Sequence, residues 1–550
     1  MPRSIECLRD YSPAKFSHDV IAGLTVGLVA LPLAMAFGIA SGVAPQAGIY
    51  TAVIAGFLIS ALGGSRTQIG GPTGAFVVIV AGIVAKFGLN GLALVGIMAG
   101  VLLVGMAITG LGSAIKYIPR PVTIGFTNGI ALLIASTQIK DFFGLHISHV
   151  PSEFVPRMIA IGSSLASAQW QTIAVSVSSL AILLIWPKIT KRIPSSIVAL
   201  VLATAAVAYF RVPVATIGSA FGGIPQGLPH FTIPTIQSAQ ILPLLPAAFT
   251  VAFLAAVESL LSAVVADSMS GDRHKPNVEL FAQGIANIAS PFFGGIPATG
   301  AIARTATNIR SGALTPIAGI IHALTLLAIL LVAAPLARFI PIPALAAILL
   351  VVAYNMGEWR EIGTILRLSK ADIAVWLTTF ALTALADLST AVGVGMGLAA
   401  LLYIYRIAET TTVSPVTREY VSSGRAHNLQ NRAIPSNVSV LRIHGPFLFG
   451  TTDKLLDATK DLNVFESIVI LRLRNMTALD ATGIHALEQF SDRLHVVGKT
   501  LLLCGAMNQP SRLLARSTFY KHIGAQNVLP NIEIAFARAD EIRGDSIPNI

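Results

Sequence analysis

Apolar residues run along this chain in long, nearly uncharged stretches separated by short polar breaks. The runs cover residues 20–42, 46–63, 72–86, 91–112, 121–140, 168–186, 194–210, 241–266, 278–293, 297–309, 312–334, 342–356, 371–386 and 388–406, about 14 in all. A hydrocarbon core of about 30 Å takes about 20 apolar residues as a helix. Most runs reach or approach that length; 72–86 and 297–309 are too short to cross as straight helices. Past residue 406 the period changes. A polar stretch at 407–436 precedes short apolar strands at 438–443, 467–473 and 500–504, with helical spacing at 451–461, 482–497 and 509–518. Strands alternating with helices predict a small α/β domain. The expected organisation is an N-terminal segment 1–17, a membrane domain 18–406, a linker 407–436 and an α/β domain 437–550.

Composition supports that division. The 550 residues are 54% hydrophobic and 11% charged, with mean hydropathy +0.75. Soluble chains carry roughly 25% charged residues, and one soluble core cannot bury this much apolar surface. A soluble enzyme, a disordered chain and a disulfide scaffold are excluded, leaving a polytopic α-helical membrane protein. The net charge is +11. Residues 1–406 hold 22 Lys and Arg against 13 Asp and Glu, and the tail holds 15 against 13. The excess sits among the spans, without the basic patch of a nucleic-acid binder, so no nucleic-acid partner is expected. Cys7 and Cys504 stand alone, which supports neither a disulfide nor a metal site. No P-loop, dinucleotide fingerprint or nucleophile elbow is present. Hence no cofactor, metal or enzymatic activity is expected, and any transport is secondary or channel-like.

Loop charge predicts orientation. With the N-terminus inside, one set of loops holds Arg66, Lys116, Arg120, Lys188, Lys191, Arg192, Arg273, Lys275, Arg310, Arg360, Arg367, Lys370 and Arg406. The opposite set holds Lys86, Lys140, Arg157, Arg211 and Arg338. Positive charge marks the cytoplasmic side, so both termini are expected there, in the inner (plasma) membrane. The first 17 residues lack a cleavable leader pattern.

An internal repeat marks the candidate site. Gly70-Gly-Pro-Thr-Gly-Ala75 and Gly294-Gly-Ile-Pro-Ala-Thr-Gly-Ala301 open the two short spans. These are the third and tenth spans, an odd number apart, so the two halves have opposite topology. Short Gly/Pro-interrupted spans at matching positions of inverted halves point to a transporter's midplane site. Two helix N-termini meeting there offer an anion unpaired N–H groups and partial positive charge. The candidates are Thr73, Gly74 and Ala75 on one side, and Thr299, Gly300, Ala301, Ile302 and Ala303 on the other. Arg304 adds a full charge, unless it snorkels to the cytoplasmic side. Glu258 lies alone in the apolar stretch from Phe249 to Val265. A buried carboxyl can exchange a proton; the alternative is a carboxyl paired with Arg304 or held by Ser259 and Ser262 for structure. Asp267 and Asp387 lie near span ends and read as structural. In the tail, Asp480-Ala-Thr-Gly483 opens a helix. Thr482 is a possible phosphate acceptor, although either Asp480 or Thr482 also serves as a plain N-cap.

These motifs resemble those of the SulP sulfate-permease family of anion transporters with a C-terminal STAS domain. The likeness rests on Ala30-Leu-Pro-Leu-Ala-Met-Ala-Phe37, Ala44-Pro-Gln-Ala-Gly-Ile-Tyr50, Ile69-Gly-Gly-Pro-Thr73, Glu258-Ser-Leu-Leu-Ser262, His274-Lys-Pro-Asn277, Gly284-Ile-Ala-Asn287 and the stretch from Gly294 to Thr305. It looks closest to a bacterial branch with C4-dicarboxylate carriers. The resemblance implies 7+7 inverted repeats. Spans 1–4 and 8–11 form a core that moves like an elevator against a gate, usually in a homodimer, and a cytoplasmic STAS domain is open to a protein partner. It implies a substrate site at Phe37, Thr73, Gly74, Ala303, Arg304 and Thr305, with Glu258 as the proton-coupling residue. Ala303 stands where relatives carry serine, and Leu33 where they carry a glutamine-like residue. The resulting expectation is proton-coupled uptake of sulfate. Its rivals are C4-dicarboxylate symport, sodium–bicarbonate symport, a nucleobase permease, an uncoupled anion channel and a sensor acting through the tail.

Overall fold

A computed structural model of the chain describes residues 1–113, 119–147, 150–151, 153–190, 193–235, 238–386, 388–416 and 434–545. Lys116, Lys191, Arg192, Asp387 and most of the expected linker lie outside the described residues. The chain divides into two compact units, Met1–Ala399 and Ala400–Ile550.

The first unit is helical. A short α1 (Arg3–Leu8) precedes α2 (Pro13–Ala40), α3 (Pro45–Leu62), α4 (Gly74–Ile108), α5 (Arg120–Phe143), α6 (Phe154–Ser164), α7 (Trp170–Ile189), α8 (Ser195–Phe210) and α9 (Ile217–Phe221). Then come α10 (Ser238–Ser270), α11 (Pro276–Phe292), α12 (Ile302–Arg310), α13 (Ile317–Ala337), α14 (Ile342–Met356), α15 (Trp359–Ile365), α16 (Lys370–Leu385) and α17 (Leu388–Thr410). Every expected apolar run overlaps one of these helices, although 297–309 is helical only from Ile302. Among the described residues, eight helical stretches are at least 18 residues long and apolar enough to cross a membrane. The runs 72–86 and 91–112 share α4, which Gly88 breaks with φ 70° and ψ −174°. A side chain would strain that backbone, so glycine divides the third span from the fourth.

The helices sort into two packed groups. In one, α11 lies on α3 and α4, α13 on α2 and α3, and α10 on α4 and α12. In the other, α14 and α16 lie on α5, and α7 lies on α8 and α14. The first group holds spans 1–4 and 8–11, the expected core. The second belongs to the expected gate, and it meets the core mainly where α14 crosses α2 and α5 crosses α4. Close packing in the core uses small residues, as membrane helices do. A methyl on Gly100 would stand 2.6 Å from the Gly284 carbonyl oxygen, and one on Gly284 would stand 2.8 Å from that of Gly100. One loop expectation is corrected. Arg157 lies on α6, only 3% exposed, and donates to Ser136 Oγ and the Pro151 carbonyl, both at 3.0 Å.

The second unit is a five-stranded sheet covered by helices. Its elements are β3 (Thr412–Pro415), β4 (Val438–Phe447), α18 (Asp453–Ala458), β5 (Ile468–Leu479), α19 (Ala481–Val496), β6 (Thr500–Cys504), α20 (Asn508–Arg516), α21 (Phe519–Ile523), β7 (Val528–Leu529) and α22 (Ile532–Asp545). β1 and β2 belong to the membrane unit and are introduced below. The strand order is β3-β4-β5-β6-β7, with β3 antiparallel and the others parallel. Both sheet faces are buried, as parallel strands require. Leu441, Leu471 and Leu503 pack with Leu487 and Phe490 of α19, while Val440, Ile470 and Leu502 pack with Ala535 and Phe536 of α22. Thr412–Pro415 falls in the stretch expected as a polar linker. It is an edge strand instead, paired with Leu441–His444. Four alternating, half-polar residues carry too little apolar signal to announce a strand.

Candidate functional site

The two repeated motifs meet. β1 (Gly70–Gly71) and β2 (Thr299–Gly300) pair antiparallel, Gly70 opposite Gly300 and Gly71 opposite Thr299. The pair is pinned on either side. Ala301 N–H donates to the Ile69 carbonyl at 2.8 Å, and Ile69 N–H donates to Thr305 Oγ1 at 3.0 Å. Thr299 Oγ1 donates to the Ala255 carbonyl at 2.8 Å. Each strand leads into a helix N-terminus, α4 at Gly74 and α12 at Ile302, and no side chain caps either one. The N–H groups of Gly74, Ala75, Ile302 and Ala303 take no acceptor among the described residues. Two uncapped helix ends therefore direct partial positive charge at one region. Thr299, Gly300 and Ala301, candidates for the anion from sequence, belong to the strand pair and its pin.

Thr73 occupies the N-cap position of α4, yet its hydroxyl does not cap. It donates to Glu258 Oε2 at 2.9 Å. A proton-carrying candidate and a candidate anion-binding helix end thus share one side chain. Over the first turn of α4 lie three apolar atoms. A methyl on Gly74 would stand 2.9 Å from Ile134 Cδ1, 3.4 Å from Phe37 Cε1 and 3.4 Å from Met356 Sδ. Phe37 therefore walls the site, joined by Ile134 of α5 and Met356 of α14 from the gate. Sequence gave no signal for the last two, because an apolar residue on an apolar helix carries none.

Arg304 is 3% exposed, so it does not snorkel. Its Nη2 donates to the Pro72 carbonyl, while Nη1 is buried without a hydrogen-bond partner among the described residues. No ion pair joins it to Glu258. A methyl on Gly71 would stand 2.8 Å from Nη1. A buried cation with an unused donor is costly, and an anion at this point offsets that cost. Thr305 is buried with its hydroxyl engaged by Ile69 N–H and by Ser262 Oγ at 3.1 Å. Ala303 lies on the exposed side of α12, next to Ile302, which is 42% exposed.

Neither Ser259 nor Ser262 holds Glu258. Ser259 Oγ accepts from Gln68 Nε2 at 3.0 Å and donates to Glu279 Oε1 at 3.3 Å. Glu279 Oε2 accepts the N–H groups of Gly64 and Ser65 at 2.9 and 3.2 Å. Gln68 and Glu279 are the residues sequence reasoning missed. They brace the loop ahead of β1, and each lies at the end of an apolar run, where a polar residue looks interfacial. Asp267 accepts from His274, both backbone and ring, as a structural residue would. An apolar groove of about 390 Å³, lined by Leu31, Met35, Leu200 and Leu330, lies elsewhere and has no charged side chain to hold an anion. In the second unit, Asp480 is the cap: Oδ1 accepts from Gly483 N–H at 2.8 Å. That leaves Thr482 exposed on the first turn of α19.

Residues 16–379 match the model of the sulfate permease family. The chain belongs to the sulfate permease family. Residues 430–535 of the permease match the STAS domain. The permease is 42% identical to a Bacillus subtilis (strain 168) protein named "Putative sulfate transporter YvdB", over 98% of this chain and 99% of that one. It is 29% identical to a protein named "Bicarbonate transporter BicA" from Picosynechococcus, over 95% and 94%. Its fold matches the murine Solute Carrier 26 family member A9 anion transporter in the inward-facing state, with TM-score 0.86, 19% identity and coverage of 98% and 94%. The permease is therefore a multi-pass anion transporter with a STAS domain and not an enzyme. Its relatives are named for sulfate and bicarbonate, so the closer likeness to a C4-dicarboxylate branch is not supported.

Proposed function

We propose that this permease takes up sulfate together with protons. The anion sits between the N-termini of α4 and α12 against Arg304 and Phe37, and Glu258 carries a coupling proton. The observation behind this reading is the Thr73–Glu258 hydrogen bond of 2.9 Å. It ties the carboxyl that can exchange a proton to the helix end that would hold the anion. Coupling has a thermodynamic reason. Moving a charge against the membrane potential costs about 2.3 kcal/mol per 100 mV, and an entering dianion meets it twice. Co-transported protons cancel that term. The two helix groups suit an elevator motion in which the core carries the site past α5 and α14 of the gate. The loop-charge bias favours a plasma-membrane protein with both termini in the cytoplasm, and the working unit in this reading is a homodimer.

The test is uptake of labelled sulfate into proteoliposomes under an acid-outside gradient. The wild type accumulates sulfate, and Glu258→Gln loses the response to the gradient while keeping sulfate exchange. An unchanged gradient response in Glu258→Gln removes the proton from that residue. A second reading is bicarbonate uptake, supported by the relative named a bicarbonate transporter, with sodium as the coupling ion. It predicts labelled bicarbonate uptake under a sodium gradient and no accumulation of sulfate. Labelled succinate and uracil, run beside these, report on the dicarboxylate and nucleobase alternatives.

A further inference from the structure

His322 lies on α13 inside the core and is 0% exposed, and neither ring nitrogen has a hydrogen-bond partner among the described residues. A buried imidazole without a partner is rare, because each unmade hydrogen bond costs free energy. Its surroundings are specific. A methyl on Gly56 of α3 would stand 3.7 Å from His322 Cε1 and 3.2 Å from the Gly70 carbonyl oxygen of β1. One helical turn away on each helix, Gly319 presses on Ser60: a methyl on Gly319 would stand 2.1 Å from Ser60 Oγ. Ser60 Oγ is itself buried and unpartnered. The residue after Gly70 is Gly71, the one against Arg304 Nη1, which is also unpartnered. Four unpartnered polar atoms, on His322, Ser60 and Arg304, therefore flank the same two-residue strand. The methyl position on Gly71 also lies 3.4 Å from Ala52 Cα, one turn before Gly56 on α3, so Arg304 Nη1 and His322 lie along one face of α3.

Little else charged faces the ring. The helices packed on α13 are α2 and α3. α3 contributes Tyr50 as its titratable residue. On α2, the ionisable residues sit in the first turns: Lys15 donates to the Asp10 carbonyl, and His18 Nδ1 lies beside Gly312. Asp19 accepts from Leu314 and Thr315 N–H, Thr315 Oγ1 and Tyr11 Oη. That leaves Arg304, beside the next residue of β1, as the remaining charge. A proton on His322 places a second cation in the same dry core, and repulsion between like charges is strong there. An anion bound to Arg304 cancels one of the two.

We propose that His322 is a second proton-binding residue of the core, which gains its proton when an anion occupies Arg304. The proposal rests on the reading that Arg304 holds the anion. The step is a plain protonation: the ring's lone-pair nitrogen forms an N–H bond with a proton released by hydronium or a buffer acid, and nothing is oxidised or reduced. With Glu258, the core then carries two protons for one dianion, which makes loading electroneutral.

The experiment measures proton uptake on adding sulfate to the purified full-length protein in weakly buffered detergent solution with a pH indicator. The wild type is expected to take up about twice as many protons per bound sulfate as either Glu258→Gln or His322→Gln, and the double variant none. His322→Gln taking up as many protons as wild type overturns the proposal. Arg304→Ala binding sulfate with unchanged affinity overturns the site reading instead, so the two failures are distinct. Nitrogen-15 NMR of the histidine rings in the wild type needs no substitution. Sulfate must convert one buried ring from a neutral to a doubly protonated spectrum, and a buried ring that stays neutral in saturating sulfate also overturns the proposal.

Discussion

The two halves of the site share a backbone and differ in chemistry. β1 with α4 and β2 with α12 repeat one design, a two-residue strand feeding an uncapped helix end. After Thr73, however, the first turns of α4 read Gly-Ala-Phe-Val-Val-Ile, with no polar side chain. α12 reads Ile-Ala-Arg-Thr-Ala-Thr-Asn-Ile-Arg over nine residues. The first half supplies N–H groups, small residues and an apolar wall. The second supplies the cation and the hydrogen bonds that pin the strands. The repeated Thr-Gly-Ala motif accounts for the shared geometry, and only one of its two copies is followed by a cation. A second buried guanidinium would add desolvation cost and like-charge repulsion.

The sharpest way to break this asymmetry is Arg304→Ala. If the second half owns the charge, the variant loses two charge-assisted hydrogen bonds of about 1.5 kcal/mol each, and sulfate affinity falls roughly a hundredfold. Isothermal titration of the purified protein reads this directly, and an affinity within threefold of wild type would place the charge outside the site. Next comes Thr73→Val, which keeps shape and removes the donor to Glu258. Gradient-driven uptake is expected to fall roughly tenfold, as the loss of one hydrogen bond to a charged group predicts, with a smaller loss of sulfate affinity than in Arg304→Ala. Equal losses in both assays would mean that Thr73 binds the anion and does not serve coupling.

The paired glycines test the comparison at the backbone. Gly71 has φ +142°, and a methyl there meets Arg304 Nη1 at 2.8 Å. Gly300, in the partner strand, would meet Gln68 Nε2 at 1.8 Å and Ser259 Cα at 3.1 Å. Gly71→Ala should strain the backbone by about 2 kcal/mol and also displace the guanidinium, so affinity falls several-fold. Gly300→Ala should lower thermal stability through the Gln68–Ser259 brace, with the affinity of the folded fraction retained. Identical binding defects in the two variants would erase the distinction between the halves.

Much of this architecture was readable in advance, for identifiable reasons. Long apolar runs have one solution in a bilayer, a helix, so the spans were legible down to the two short ones. The Thr-Gly-Ala repeat announced the candidate site because glycine and proline interrupt apolar runs visibly. What stayed hidden was pairing. The repeat predicted that the two motifs meet, but a two-residue strand has no period, so nothing foretold that Gly70-Gly71 and Thr299-Gly300 pair as strands. Glu258 stood out because it is isolated in an apolar stretch, whereas Glu279, more deeply buried at 1% exposed, passed for an interfacial residue near Lys275 and Asn277. His322 was overlooked because a lone histidine on an apolar helix has many ordinary explanations, and its missing partners are visible only in three dimensions. The edge strand Thr412–Pro415 hid for the opposite reason: its neighbours in sequence are polar, and it is a strand only because β4 offers an open edge.

The smallest expected effect lies in the pin itself. Ser262→Ala removes one hydroxyl from the Ser262–Thr305 contact of 3.1 Å but leaves the Ile69 N–H bond to Thr305 Oγ1 in place. Hydrogen bonds between membrane helices average about 0.6 kcal/mol, so the variant should be slightly less stable, with sulfate affinity within about threefold of wild type. Thr305→Val removes the acceptor of Ile69 N–H as well and leaves a buried backbone donor unmade, a loss of about 1–3 kcal/mol. If the second half holds the strand pair in register, Thr305→Val must lower the melting temperature far more than Ser262→Ala does. If the two variants melt together, the strand pair is held by its backbone alone, and the polar face of α12 serves the anion and not the scaffold.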